Sequence, residues 1–357
     1  MRFVFITSTP PNIAAGSGTY VGVSNLARGL QHLGHQVEIV APTTHLPNYT
    51  LQRWLFNRRL RTRRFSPDDV IVGFDLDGYR LPRNAGRLHI AAPKGVIADE
   101  ARFERGYTRW SMNLQATWER AHVRRADLVL ATSEYSARQI ASFYGLERTP
   151  AIVPESIDLE RWTALLRAST APPRPSKFVV LTVCRFYRRK RLDLLLAAVD
   201  SLRQRIPGLE LRIVGGGPEA PRLQRLARAL RLGDCVVWLR DLPLSELARE
   251  YSACDLFCLP SVQEGFGIVF LEAMAAGRPI VAARAAAAPE VAGHAILTEL
   301  GDAAGLARGI EAAYRDSVLR ERIARIGLER VREFELGRVT QRFLSVVESA
   351  LAFKSAA

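Results

Sequence analysis

The sequence predicts an α/β protein of two doubly wound, Rossmann-like domains with a closing C-terminal helix, and three observations carry that expectation. Short apolar, β-branched runs alternate with helix-length amphipathic segments along the whole chain. At 357 residues the chain exceeds one ordinary hydrophobic core. The stretch RASTAPPRPSK (167–177) has three prolines and small polar residues, the composition of an exposed connector, and it divides the pattern into similar halves.

In the first half the runs lie at 4–6, 37–40, 70–72, 88–91 and 128–130, and in the second at 178–183, 209–214, 236–239, 256–259 and 279–282. Runs that are apolar throughout suit strands buried on both faces, and the helix-length gaps suit right-handed βαβ crossovers. The expected divisions are therefore a first domain over 1–170, a second over 177–335 and a final segment, 336–357. In that segment Val339, Phe343, Val346, Val347 and Leu351 recur at helical spacing, which predicts a helix packing back towards the first domain.

Composition is that of a globular protein, 48% hydrophobic and 24% charged. The apolar run in MRFVFITSTPP is too short for a signal peptide, and no window approaches the ~20 apolar residues of a membrane span, so a cytoplasmic protein is expected. Cys184, Cys235, Cys254 and Cys258 form neither a disulfide frame nor zinc knuckles and read as small buried or half-buried residues. A net charge of +14, spread over both halves, calls for an anionic partner: nucleotide, nucleic acid, anionic lipid or phosphorylated acceptor.

The most informative stretch is SVQEGFGIVFLEAMAAGRPIVA (261–282). Gly265 and Gly267 permit a tight turn after a buried strand, and a helix is expected from about Ile268 until Gly277 and Pro279 end it. Unpaired N–H groups at such a helix start, at the carboxyl end of parallel strands, make an anion site that suits a diphosphate. Glu272, about one turn into the helix, is placed for ribose hydroxyls, and Glu264 for sugar hydroxyls. Equally, both acids suit the positive end of a helix without any ligand.

That stretch resembles the Glu, seven residues, Glu signature of the large family of retaining GT-B glycosyltransferases (glycosyltransferase family 4, group 1 type), whose members read P-S-x-x-E-G-F-G and then L-E-A-M-A-x-G-x-P. The resemblance extends over almost the whole chain. It implies the GT-B fold, two Rossmann-like domains facing a cleft, with a nucleotide-diphosphate sugar as co-substrate on the second domain and an acceptor on the first. TVCRFYRRKRLDLLLAA resembles the family's strand-turn-helix in which an Arg and a Lys bind the donor diphosphate, here Arg185 and Lys190. Fixed cations there would stabilise the negative charge that grows on the leaving group.

The same resemblance assigns donor contacts to Gly215 in IVGGGPE, to Glu264, Gly265, Phe266, Gly267, Ile268 and Glu272, and to Gly16 and Gly18, with Thr19 beside them, in a loop directly before an amphipathic helix that Gly34 ends. The chain departs from the family at Cys184, Arg191 and Arg240, where Gly is frequent, and in AAAAPEVAG, which keeps Pro289 and Glu290 but has alanines for the usual glycines. The family's acceptor-side His has no counterpart. Lys94 is the candidate substitute, with Asp99 and Glu100 behind it; His89 belongs to a strand.

No cofactor or metal is expected, because Asp75 and Asp77 in FDLDG suit a strand-end turn better than the metal-binding Asp-x-Asp of the other major glycosyltransferase fold. UDP or GDP is expected ahead of ADP as the donor nucleotide, and a sugar, a lipid-linked sugar or a small molecule as acceptor. LQRWLFNRRLRTRRF (51–65) gathers Arg53, Arg58, Arg59, Arg61, Arg63 and Arg64 among aromatics without an acid. It suits an anionic membrane face, a solvated or packed helix or, least, single-stranded nucleic acid. Two rival functions stay open: a sugar-nucleotide epimerase or hydrolase of the same fold, and a silent nucleotide-sugar-binding partner subunit.

Overall fold

The structure, a computed structural model, describes residues 1–10, 13–43, 46–82, 86–169, 176–240 and 242–356. It comprises two compact units, one of Met1–Ser156 with Leu336–Ala357 and one of Ile157–Glu335. Unit 1 runs β1 (Arg2–Ile6), α1 (Ile13–His32), β2 (Gln36–Val40), α2 (Tyr49–Leu60), β3 (Asp69–Phe74), β4 (His89–Ala92), α3 (Ile97–Ala101), α4 (Gly106–Arg125), β5 (Leu128–Ala131), α5 (Glu134–Tyr144) and β6 (Ala151–Ile152). Its parallel sheet has the order β2-β1-β3-β4-β5-β6 among the described residues. Strands β1 and β3 are buried on both faces, which is why they read as unbroken apolar runs.

Unit 2 opens with α6 (Leu159–Ala168) and continues β7 (Phe178–Val183), α7 (Leu192–Leu202), β8 (Leu209–Val214), α8 (Ala220–Ala229), β9 (Val236–Leu239), α9 (Leu244–Ala253), β10 (Leu256–Leu259), α10 (Ile268–Ala275), β11 (Ile280–Ala283), α11 (Ala288–Val291), β12 (Ile296–Thr298), α12 (Ala303–Arg315) and α13 (Ser317–Arg330). Its parallel sheet is ordered β12-β11-β10-β7-β8-β9. The chain winds outward from β7 to β9, then returns to the other side of β7 through β10. That reversal opens a crevice between the carboxyl ends of β7 and β10, the place where α/β sheets bind ligands.

The last helix, α14 (Leu336–Ala356), lies in unit 1. Val339, Phe343 and Val347, four residues apart, enter the cluster of Phe3, Phe5, Val72 and Phe74, and the Phe3 and Phe343 rings stand 5.7 Å apart. Helix α1 admits α14 closely at Gly29, where a Cβ would fall 2.0 Å from Thr340 Oγ1.

Several particulars differ from expectation. The units divide at Ser156/Ile157 rather than within the proline-rich stretch, whose residues 170–175 lie outside the described ones. Helix α6 therefore belongs to unit 2, because Trp162 buries its ring against Tyr251 with centroids 5.7 Å apart and donates to the Glu272 carbonyl at 3.2 Å. Helix α1 starts at Ile13, so Gly16 and Gly18 lie in its first turns rather than in a loop ahead of it. The arginine-rich segment is split: Phe56 and Leu60 enter the core, and Arg53 is buried.

A buried histidine pair ties β4 to α4. His89 Nε2 stands 3.1 Å from His122 Nε2, and His122 Nδ1 lies 2.6 Å from the Asp75 carbonyl. Burial drives both ring pKa values down, His122 to about 4; for His89 its like-charged partner, Arg87, Arg125 and Lys354 push the same way. The unfolded chain then binds more protons between pH about 6.5 and about 4, so this pair makes unit 1 lose stability as pH falls through that window. Ring-proton NMR titration should show His122 still neutral at pH 5. A midpoint above 6 would contradict the buried, proton-sharing arrangement.

Candidate functional site

The loop after β7 carries Arg185 and Lys190, and its basic residues are spoken for one by one. Arg188 approaches Glu219 at 3.6 Å, the Arg189 guanidinium lies 4.6 Å from the Tyr187 ring centre, and Arg191 pairs with Asp193 at 3.1 Å. Lys190 reaches across the crevice: its Nζ donates to Glu264 Oε1 at 2.6 Å, with both side chains nearly buried. The backbone repeats the link, since Val262 N donates to the Arg189 carbonyl at 2.8 Å. The loops after β7 and β10 are thus tied together at the switch point. Arg185 is half-buried in the first of them.

Beyond Glu264, Gly267 caps α10 in a left-handed conformation (φ 90°), and a Cβ there would meet the Phe270 ring at 2.7 Å. Gly265, Phe266 and Ile268 complete the turn; Phe266 packs edge-on against Phe334, centroids 5.5 Å apart. The α10 N-terminus, the positive end of the helix, therefore lies beside the Lys190–Glu264 pair, with the Phe270 amide turned back to the Gly267 carbonyl at 2.9 Å. Glu272 sits one turn in, buried, accepting from Tyr251 Oη at 2.8 Å. Desolvation raises its pKa to about 7. Sequence reasoning missed Tyr251 and Trp162, which hold this acid from α9 and α6; their only signal was aromatic character within amphipathic helices. It also missed Gln263, whose buried side-chain amide makes no hydrogen bond among the described residues.

Gly215 has a reason internal to the fold. At φ 128° its missing Cβ would stand 2.1 Å from the Cys184 carbonyl oxygen, and Gly217, at φ 157°, would strike Phe186 N at 2.7 Å. Both glycines let the loops after β7 and β8 touch backbone to backbone. Gly216, between them, faces open space except for the Arg240 guanidinium at 3.8 Å. Two departures from the glycine-rich pattern keep a glycine-like conformation, since Arg191 has φ 50° and Ala286 φ 51°.

In unit 1 the expected acceptor-side residues are not equivalent. Lys94 is nearly buried, its Nζ 3.0 Å from Glu155 and its backbone N 2.9 Å from Asp75 Oδ1. Glu155 in turn fills the space over Gly22 of α1, where a Cβ would clash at 2.2 Å. Glu100 lies beside Gly95. Asp99 is fully buried and accepts from Tyr135 Oη at 2.5 Å and Arg102 at 3.2 Å, so it packs α3.

Asp77 is also fully buried. It accepts from Ser8 N and Oγ at 2.6 Å each and from Asn57 at 2.8 Å, while Arg53 bridges Ser8, Gln115 and Asp75. Burial raises the Asp77 pKa despite those donors. Among the described residues no group of three or more His, Cys, Asp or Glu side chains could hold a metal ion. All four cysteines are free thiols, three buried and Cys184 half-buried.

Comparison with known proteins gives this geometry a family. Residues 168–330 match the model described as glycosyl transferases group 1, and the domain they span belongs to that family. Over 176 residues the chain is 36% identical to the GDP-mannose-dependent alpha-(1-6)-phosphatidylinositol monomannoside mannosyltransferase of Mycolicibacterium smegmatis, covering 46% of each protein. It is 33% identical over 230 residues to the D-inositol 3-phosphate glycosyltransferase of Nocardia farcinica, covering 60% of this chain and 50% of that protein. The matches thus span about half the length of these relatives. The chain shares its GT-B fold with sucrose-phosphate synthase from Thermosynechococcus elongatus (TM-score 0.82, 21% identity, 98% of this chain and 99% of the other) and with the lipopolysaccharide glycosyltransferase WaaG (0.75, 16%, 96% and 99%).

The glycine contacts make a stability prediction. Gly215→Ala should cost on the order of 3 kcal/mol, because both φ and the Cys184 carbonyl oppose a side chain, whereas Gly216→Ala should be near neutral. Ala286→Gly should gain up to about 1 kcal/mol by relieving left-handed strain. Thermal and denaturant unfolding of the three variants check this; equal losses at Gly215 and Gly216 would contradict the assigned packing.

Proposed function

We propose that this chain is a metal-independent, retaining glycosyltransferase that moves a sugar from a nucleotide-diphosphate donor to a sugar, lipid-linked or small-molecule acceptor. The observation that supports it most is the Lys190–Glu264 pair, which sets a cation and an acid side by side at the switch point, next to the N-terminus of α10. Arg185, Lys190 and that helix end hold the diphosphate and stabilise the charge it gains as the bond to the sugar breaks. Glu264 positions Lys190 and meets the sugar hydroxyls; Glu272 meets the ribose.

In the transfer, the bond between the anomeric carbon and the phosphate oxygen breaks, and the acceptor oxygen bonds to that carbon on the same face. The acceptor's proton passes to the departing phosphate oxygen. No carboxylate nucleophile of the two-acid hydrolase type is then required.

The acceptor is anionic or lies at an anionic membrane surface. Arg58, Arg59, Arg61, Arg63 and Arg64 are exposed around the end of α2, whereas Arg53 is committed to the interior. No helix among the described residues is long and apolar enough to cross a membrane. The phosphatidylinositol monomannoside in the mycolicibacterial relative's name supports this assignment.

Three experiments test the proposal. Arg185→Ala and Lys190→Ala should each lower turnover by ~10²-fold or more, with activity of the unaltered chain persisting in EDTA. Product NMR should show the donor's anomeric configuration. Near-normal turnover in both variants would move the diphosphate elsewhere; free sugar without acceptor would indicate a hydrolase, and an altered donor an epimerase. For the membrane, each exposed arginine near an anionic bilayer contributes about 1 kcal/mol. The chain should therefore sediment with anionic but not neutral liposomes, and changing Arg58, Arg59, Arg61 and Arg63 to Gln should release it. Equal sedimentation of that variant would rule the segment out.

A further inference from the structure

Arg240 follows β9 directly, and its guanidinium lies along the open face of Gly216. It is exposed, and among the described residues no hydrogen bond or ion pair engages it. That distinguishes it from Arg188, Arg191 and Arg212, which stand on acidic partners nearby in unit 2. The surface beside it is bare backbone: Gly216 lacks a side chain, its carbonyl accepts from Phe186 N at 2.9 Å, and Gly215 N is held by the Leu239 carbonyl at 2.9 Å. A flat ring can lie against such a loop and present its edge to the guanidinium.

The sheet sets the scale. Strands β7, β8 and β9 are consecutive neighbours, so Arg240 stands two strand spacings, about 10 Å, from the strand end that carries Arg185 and Lys190. A nucleoside reaches about that far from its own diphosphate. Placing a base beside Arg240 rests on the donor site proposed above, with the diphosphate at the β7–β10 crevice.

A guanidinium donates five hydrogen bonds and accepts none. It can fork only onto a base edge whose adjacent groups are both acceptors. On the edge away from the sugar guanine offers such a pair in O6 and N7, where adenine has the N6 amino donor beside N7, cytosine the N4 donor and uracil one carbonyl; cytosine's own acceptor pair, N3 and O2, lies on a different edge, beside the glycosidic bond. We propose that Arg240 reads the donor's base and selects guanine by bidentate donation to O6 and N7.

Calorimetric titration of the full chain with guanosine, inosine, uridine, adenosine and 7-deazaguanosine diphosphates tests this. The inosine nucleotide keeps O6 and N7 and should bind as tightly as guanosine diphosphate. The adenosine and 7-deaza nucleotides should bind on the order of tenfold more weakly or worse. Arg240→Ala, which removes no hydrogen bond or ion pair among the described residues, should bring guanosine diphosphate down to the adenosine level while leaving the melting temperature and adenosine affinity unchanged. With a guanosine-diphosphate sugar its KM should rise at constant kcat.

An unchanged guanosine-to-adenosine ratio in Arg240→Ala, or 7-deazaguanosine diphosphate bound as tightly as the parent, would overturn the assignment of Arg240 alone. Failure of the wild-type chain to bind any of these nucleotides would overturn the donor site itself, and this inference with it.

Discussion

The nearly buried ion pair between Lys190 and Glu264 is the constraint on which the unit 2 site depends. Removing one partner of such a pair costs far more than the pair itself contributes. The pair therefore fixes two loops, those after β7 and β10, that share no strand pairing of their own. The Val262–Arg189 backbone bond is the second rivet. Because β10 enters on the far side of β7 from β8, no local turn could bring these residues together. Sheet order makes the meeting, and the ion pair holds it.

Everything near that meeting is packed to serve it. Gly215 and Gly217 let the β8 loop press against the β7 loop, where the Cys184 carbonyl and the Phe186 backbone take the space of two side chains. Glu272 is clamped from outside α10 by Tyr251 and Trp162. Arg191 and Ala286 hold left-handed conformations that glycine would hold with less strain. At Arg191 the side chain has a visible compensation in its ion pair with Asp193. Nothing in the structure explains Ala286.

How much of this could be seen in the sequence depends on the range of the interaction. The ten apolar runs each fall on strands, because a strand buried on both faces must be apolar along its whole length. The edge strands β6 and β12 escaped, being two and three residues long and only partly buried. The α10 turn was legible because glycines and a helix stop are local signals. Arg53 was not. Its neighbours in sequence suggest a charged surface, and only the fold brings Ser8, Asp75 and Gln115 around it. The same holds for Gly16 and Gly18: a glycine pair reads as a loop until the backbone shows α1 beginning ahead of it. Proline content marked a connector but could not tell a link between units from a link within one, and Trp162 decides that.

The charge of +14 needs the same sorting before it is read as a binding surface. A guanidinium carries several donors in a fixed fork, and this chain uses many of them on backbone carbonyls. Arg278 bonds the Cys254 carbonyl at the end of α9, Arg320 that of Tyr314 in α12, Arg330 that of Val291 in α11, and Arg124 that of Tyr144 in α5. Each satisfies a carbonyl at a helix C-terminus, where the helix leaves acceptors unmet and the dipole favours a cation. Those arginines belong to the fold, and their positive charge would be needed with no anionic partner present. Part of the electrostatic surface available to a ligand is carried instead by exposed arginines whose side chains bond no helix-end carbonyl, such as Arg59 and Arg64 around the end of α2 and Arg240 beside the glycine loop. Net charge alone weights both kinds equally; their hydrogen bonds separate them.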